Sequence, residues 1–393
     1  MKKSLGLYIH IPFCLHKCPY CDFYSTVGKA DYRRYTDALM LHMEDYSDAL
    51  KNCVVDTIYI GGGTPSVLPV RMLCELLDAA YDFFDVDDAA EVTMEANPAT
   101  LNRSALKRLN RAGVNRLSIG VQSTFDNELK ALGRVHTYAQ FEEGFHWARD
   151  AGFENISVDL MYGIPEQTAD SLSQSLETIT DLLPEHISLY GLKLEPETPF
   201  GQNPPAGLPE DDDTVDMYLD AVDFLASRGY RQYEISNFAL EGRQSRHNLR
   251  YWNCEEYLGL GPGAHSYLNG QRFSFKRDTK MYITAMSDLS KNLPIIDEQY
   301  TVSPDERIGE YVMLRLRLND GVDTSEFYRR FGVAFETLYG QYLEPYISGG
   351  YMFRTQKGYA LTPVGMCVSN EILSTMLSFD SHIVEGIADG TDK

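Results

Sequence analysis

The sequence predicts an α/β protein: an open (β/α)6 barrel followed by a small C-terminal winged-helix-like domain. Three observations carry that reading. Strand-like and helix-like stretches alternate six times between residues 5 and 192, the pattern of parallel βα units in right-handed sequence, and six units rather than eight leave the barrel open. The conspicuous polar residues fall at or near the C-terminal ends of those strands, where parallel α/β barrels hold their active sites. From residue 303 the alternation gives way to three helices, a hairpin and a closing helix.

The elements follow in order. Leu5 to Ile9 reads as a buried strand that runs into a cysteine-bearing loop, Cys14 to Cys21. Asp31 to Lys51 is apolar on one face (Tyr35, Ala38, Leu39, His42, Met43, Tyr46) and polar on the other, a helix. Thr57 to Ile60 is a strand followed at once by Gly61-Gly62-Gly63-Thr64-Pro65, and Pro69 to Phe83 is the next helix. Glu91 to Glu95 is the third strand, and the helix from Leu101 to Ala112 stops at Gly113. Arg116 to Gln122 is the fourth strand, with helices near 125–132 and 138–150. Ile156 to Met161 and Ile187 to Leu192 complete the set, separated by a helix from Ser171 to Leu182. Glu210 to Asp213 form the acidic first turn of a helix reaching Arg228, and Tyr230 to Phe238 adds a strand. The expected divisions are a barrel over 1–235 and a connector over 236–302. A C-terminal domain of helices Pro304–Leu318, Thr324–Phe331, Ala334–Tyr346 and Val364–Leu377 with a hairpin at 351–361 covers 303–379, and a small acidic tail 380–393.

Composition narrows the function classes. The 393 residues are 44 % hydrophobic, enough for one large core and a smaller one, and no run of 18 apolar residues is present. Met1-Lys2-Lys3 leads straight into a strand, so no signal peptide is expected. Outside the cysteine loop, Cys53, Cys74, Cys254 and Cys367 are scattered without paired spacing, as reduced thiols of a cytoplasmic protein would be. A formal net charge of −22 excludes nucleic acid as a general partner and argues against loose attachment to an anionic membrane.

The chemistry centres on C-L-H-K-C-P-Y-C, in which Cys14, Cys18 and Cys21 stand at spacing C-x3-C-x2-C. Thiolates are soft ligands suited to iron–sulfur clusters, and three of them on a [4Fe–4S] cube leave one iron open to a small molecule. The alternatives are half a zinc site or unrelated thiols; a closed zinc site needs four ligands, and no second C-x2-C lies nearby. The glycines at 61–63 allow a close backbone approach to a ligand or simply make a flexible turn. Glu95 and Asp159 serve equally as site carboxylates or as caps of the turns that follow them. Farther on, Ser245-Arg246-His247-Asn248-Leu249-Arg250-Tyr251-Trp252 precedes a glycine-rich loop, Gly259 to Ser266, that contains His265. Imidazole, aromatics and flanking arginines suit a flat apolar ligand such as heme, with Arg246 or Arg250 near its propionates; a buried, hydrogen-bonded loop is the plain alternative.

Y-I-H-I-P-F-C at 8–14, G-G-G-T-P-S at 61–66 and H-N-L-R-Y-W at 247–252 resemble, over most of the chain, the radical S-adenosylmethionine (SAM) superfamily. Within it the chain is similar to relatives of oxygen-independent coproporphyrinogen III oxidase. That oxidase has a fourth cysteine two residues past the third. Phe23 stands there, which together with H-N-x-x-Y-W is the pattern of the HemW heme chaperone branch.

The resemblance implies three cofactors: a [4Fe–4S] cluster on Cys14, Cys18 and Cys21, SAM, and heme. It implies SAM contacts from Tyr8, Gly62 and Glu95, and places Tyr20 beside the adenosyl moiety. Gly63, Thr64, Gln122, Arg134 and Asp159 match positions lining the rest of that region, some of which hold a second SAM in the oxidase. Lys193 departs from the small residue found there and weakens the case for a second molecule. Heme falls to His247, Asn248, Tyr251 and Trp252, with His265 as the second candidate. The implied chemistry is one-electron reductive cleavage of SAM to a 5′-deoxyadenosyl radical. Implied partners are acceptor hemoproteins, membrane-associated ones among them, and an electron donor such as a flavodoxin or ferredoxin. Two functions remain open: heme chaperone, or oxidative decarboxylase of coproporphyrinogen III. Phe23 and the seven residues ahead of Tyr8 favour the first.

Overall fold

A computed structural model describes residues 2–28, 30–288 and 293–377; the expected acidic tail at 380–393 lies outside them. All six predicted strands form: β1 (Lys3–Ile11), β2 (Cys53–Gly62), β3 (Val86–Ala96), β4 (Arg116–Gln122), β5 (Ile156–Tyr162) and β6 (His186–Gly191). They pair in parallel and in sequence order, each joined to the next through helix. Helix ends sit where capping chemistry allows: Asp31 accepts from the Arg34 N–H, Thr137 and Gln140 form a reciprocal capping box, and Gly152 closes its helix at φ 99°.

The sheet extends beyond the six strands on both edges. On the β6 side, β7 (Arg231–Glu234) and β8 (Asn237–Ala239) form a hairpin where one strand was expected. On the β1 side, residues expected as a connector supply β9 (Tyr257–Leu260), β10 (His265–Leu268), β11 (Gln271–Phe275) and β12 (Ile296–Thr301). β9 lies parallel to β1, and β10 to β12 follow antiparallel. The complete order is β12-β11-β10-β9-β1-β2-β3-β4-β5-β6-β8-β7. The glycine-rich stretch is therefore half strand. Sequence inspection missed this because Tyr257–Leu260 is four residues long and flanked by turn formers on both sides.

Alternation along the strands sorts the two faces. Outward residues such as Leu7, Ile9, Ile58, Ile60, Met94, Ile119, Val158 and Leu189 are buried beneath the helices. Inward residues are mostly polar: Tyr8, His10, Thr57, Glu91, Glu95, Arg116, Ser118, Asp159, His186 and Ser188. A parallel sheet packed on both faces is normally apolar throughout; here the inner face lines a chamber rather than a core.

The helix Arg246–Trp252 closes the N-terminal mouth of that chamber. Glu91, on β3, accepts from the backbone N–H groups of Arg246 and His247, both at 3.0 Å. Arg250, 4 % exposed, donates to Ser4 Oγ at 2.7 Å and to the Glu256 carbonyl at 3.2 Å, and pairs with Asp56 and Glu255.

The C-terminal unit carries the expected helices Pro304–Leu316, Thr324–Phe331 and Phe335–Ser348. Strand β13 (Val322–Asp323) and the hairpin of β14 (Met352–Arg354) and β15 (Gly358–Leu361) form a three-stranded sheet beside them. The helix expected over 364–377 breaks at Val368 into Pro363–Cys367 and Ser369–Leu377. This unit grips the end of the plugging helix: the Arg317 guanidinium lies 4.5 Å from the Trp252 ring centroid, Arg315 Nη1 donates to Asn253 Oδ1, and Arg330 Nη1 donates to the Asn253 carbonyl. Arg250→Met, which removes the charge partner of Asp56 and leaves that carboxylate only the Ser4 hydroxyl, is expected to cost about 3 kcal/mol in urea unfolding; a loss under about 1 kcal/mol would show that the plug is not held by this pair.

Candidate functional site: the cysteine loop and the C-terminal mouth

β1 delivers the chain directly into the cysteine loop. Phe13–Cys14 pairs in parallel with Thr26–Val27, and the Cys21 N–H donates to the Cys18 carbonyl at 3.1 Å, so the loop closes on itself. The stretch after β2 lies against it. The Gly63 and Thr64 N–H groups donate to the Ile11 and Phe13 carbonyls at 2.9 and 2.8 Å. A Cβ on Gly63 would meet Phe13 and Ile11 backbone atoms at 2.8–2.9 Å, so only glycine allows the approach. Gly62, at φ +112°, turns the chain there.

Cys14, Cys18 and Cys21 are half-buried free thiols. Thr64 Oγ1 donates toward Cys14 Sγ at 3.5 Å. Arg134 sets Nη1 at 3.6 Å from Cys18 Sγ and 3.4 Å from Tyr20 Oη, while its Nη2 donates to the Gly120 carbonyl at 2.7 Å. Burial pushes the Cys21 thiol up, an effect that coordination to iron would override. The loop supplies three thiolates, and no second C-x2-C pair adjoins them in the sequence. A closed zinc site needs four ligands, whereas a cube can be held by three thiolates, each on a different iron. The donor set and its guanidinium neighbour fit a [4Fe–4S] cluster.

The chamber side of this mouth collects Tyr8, Gly62 and Glu95. Glu95 accepts from Tyr59 Oη at 2.9 Å and from the Gly62 N–H at 3.0 Å. Burial raises its carboxyl to about 7, with Asp159 adding in the same direction. An approaching cationic amine would restore its charge. Tyr8 Oη bonds His10 Nδ1 at 2.9 Å, and the Tyr8 ring stacks on Tyr59 at 6.2 Å. Asp159 accepts from Ser118 Oγ, with both carboxylate oxygens at 3.0 Å. Gln122 ends β4 at φ 72°, its amide beside Gly120.

The residues of H-N-x-x-Y-W divide. Tyr251 and Trp252 line a cleft of about 530 Å³ between β1, the β9–β11 edge and the helix Pro304–Leu316. His247 is fully buried, with Nδ1 bonded to Thr57 Oγ1 at 2.9 Å and Nε2 to Tyr251 Oη at 2.8 Å. Burial lowers its imidazole to about 3. Both nitrogens are committed, so in this conformation His247 offers none to a ligand. Asn248 is not among the cleft-lining residues. Arg246 and Arg250, expected near propionates, are instead spent on the Ala89 carbonyl and on Asp56 at the opposite mouth. The cleft's own cations are Arg272 and Arg277, and its exposed imidazole is His265.

Two site residues were missed. Tyr59 stacks on His247 at 5.2 Å as well as holding Glu95; its inward alternation with Thr57 and Gly61 was the available signal. Arg277 follows β11 and carries no motif, so nothing local marked it.

A parallel barrel whose first strand opens into C-x3-C-x2-C defines a radical SAM protein, which binds a [4Fe–4S] cluster and SAM. The radical SAM superfamily model matches residues 8–179 and the HemN C-terminal domain model residues 302–368. The heme chaperone HemW of Lactococcus lactis is 36 % identical over 97 % of this chain and 99 % of its own, that of Bacillus subtilis 38 % over 94 % and 98 %, and that of Escherichia coli 35 % over 95 % and 98 %. The solved coproporphyrinogen III oxidase of Escherichia coli, described as a radical SAM enzyme, superimposes with a TM-score of 0.84 at 23 % identity, covering 96 % of this chain and 91 % of its own; that likeness shows the fold. The chain belongs to the HemW heme chaperone family.

Single Cys→Ala changes at 14, 18 and 21 are each expected to abolish cluster assembly, while those at 53, 74, 254 and 367 leave iron and sulfide content unchanged; normal iron in the Cys18 variant would refute the ligand set. Glu95 also gives a pH signature. Its folded-state carboxyl lies above its unfolded value, so ionising it at higher pH opposes folding. SAM-free wild type should lose stability relative to Glu95→Gln between about pH 4.5 and 7, by on the order of 3 kcal/mol above that window. Thermal melts across that range check it.

Proposed function

We propose that this chain is a cytoplasmic heme chaperone that binds heme in the cleft beside the barrel and passes it to hemoproteins, membrane-associated ones among them. The observation that carries the reading is the cleft wall. Tyr251 and Trp252 of H-N-x-x-Y-W face it together with Phe23, Tyr24 and Tyr257, an aromatic surface for a flat ring. Of the histidines there, His265 is exposed and faces the space, while His10 has its ring engaged by Tyr8 Oη and the Tyr24 carbonyl. Partial desolvation of the ring, with Arg277 and Arg272 nearby, shifts His265 toward the neutral form an iron ligand needs. His265 is then the imidazole we assign to heme iron, and His247 acts from behind by holding the Tyr251 hydroxyl.

The SAM side shares a wall with this cleft. Tyr8 and His10 line it from β1, and Tyr8, Glu95 and Gly62 would hold SAM against the open iron, with Tyr20, Gly63, Thr64, Gln122, Arg134 and Asp159 around the rest. When bound, cluster and SAM supply one-electron chemistry; the protein's part is to orient them and exclude water. A flavodoxin or ferredoxin would reach the cluster past the exposed Leu15 and Val135. Phe23, 70 % exposed where the oxidase has cysteine, supports a carrier over a coproporphyrinogen decarboxylase.

On cluster-reconstituted protein, His265→Ala is expected to change the heme absorption spectrum and weaken affinity about tenfold or more, with His247→Ala giving a smaller loss and neither altering iron–sulfur content. Anaerobic assays with SAM should give no protoporphyrinogen IX. An unchanged spectrum in the His265 variant with a lost one in the His247 variant would move the ligand back to the motif; robust turnover would replace the chaperone reading.

A further inference from the structure

Five charged side chains line the cleft: Asp22, Glu255, Arg272, Arg277 and Glu310. Three of them are already neutralised. Arg272 forms a fork on Glu310, with Nη2 to Oε2 at 3.2 Å and Nη1 to Oε1 closer, and its guanidinium also lies 5.7 Å from the Tyr267 ring centroid. Glu255 pairs with Arg250 at 3.2 Å. Arg277 has no hydrogen bond or ion pair among the described residues, and it is exposed. Its side chain packs by Cγ over Gly263, on the turn before β10, so its stem is seated while its fork is free. What sets Arg277 apart is its place: an open guanidinium fork at the edge of an aromatic cleft, whose other arginine is already spent on Glu310.

Resting on the heme reading above, we infer that Arg277 is the carboxylate anchor of the cleft: it takes a propionate of the bound tetrapyrrole in a two-point contact and so sets which edge of the ring faces solvent. The planar fork matches a carboxylate bidentately, which Lys cannot do. β10 and β11 are register-paired at His265 and Ser274, three residues ahead of Arg277, so imidazole and guanidinium flank the same edge of the cleft. A ring whose iron lies toward His265 then presents its carboxylate edge to Arg277. The ligand class follows: a planar aromatic macrocycle with at least one free carboxylate on its rim.

The test compares iron protoporphyrin IX with its dimethyl ester, which keeps the ring and iron but has no free carboxylate, on the full cluster-bearing chain in one detergent. Wild type is expected to bind the free acid about tenfold more tightly than the ester. Arg277→Gln should remove that preference by weakening the acid alone, with the ester affinity and the iron spectrum unchanged, and Arg277→Lys should recover part of it. Equal loss of both ligands in the Gln variant, or no discrimination by wild type, overturns the anchor while leaving heme binding in place. Failure of wild type to bind either ligand overturns the heme reading itself and the anchor with it.

Discussion

The structure turns on the hydrogen bonds that Glu91 accepts from the first two N–H groups of the Arg246–Trp252 helix. An open six-stranded barrel with a polar inner face has two mouths, and one must be shut without stranding buried donors. A helix end brings unsatisfied N–H groups, and an inward carboxylate on β3 is what they require. Ser245 accepts a third, from Asn248 at 3.4 Å. Once the helix is held, Arg250 locks its far side to β1 and β2, and Trp252 and Asn253 are presented to the C-terminal unit.

The same helix joins the two sites physically. From Tyr251 the bonds run to His247 and on to Thr57, while Tyr59 lies between the His247 ring and Glu95, whose other oxygen holds the Gly62 N–H. Every link lies on β2, β3 or the plug. The Glu95–Gly62 end of the barrel and the cleft are therefore two faces of one wall. The histidine of the motif is a structural member of that wall: with both nitrogens bonded at 2.9 Å or less, its removal would leave Thr57 and the Tyr251 hydroxyl without their partner.

Most of the barrel was legible in the sequence, because apolar-outward alternation and βα periodicity are local signals. The cysteine loop was legible for the same reason: its ligands lie within one eight-residue segment, and Gly63 and Thr64 sit beside them through a single strand pairing. The rest depended on distant chain meeting distant chain. Residues 257–301 were read as a connector since each strand is six residues or fewer, and their pairing with β1 spans some 250 positions. His247 was read as a ligand because type and spacing describe a histidine's neighbours in sequence, while Thr57 comes from another strand. Arg246 and Arg250 were drawn toward propionates by proximity to that histidine; the helix turns them to the opposite mouth, where Asp56 and the Ala89 carbonyl wait.

A carrier has to let go, and that requirement makes sense of where polar groups lie. A ligand coordinated from inside the chamber would be held by deeply buried groups, some bonded to one another as Tyr59, Glu95 and Gly62 are, and release would need the barrel to open. The cleft offers the reverse: a rigid aromatic wall that costs little ordering entropy, with its exposed imidazole and free guanidinium at the rim. Rim groups can be exchanged one at a time by an acceptor that brings its own imidazole and its own cation, without the carrier unfolding any element. If heme sits there as proposed, the bonds from Tyr251 through His247 to Thr57 would stiffen the wall behind it, and the sparsely bonded rim would set the rate at which it leaves.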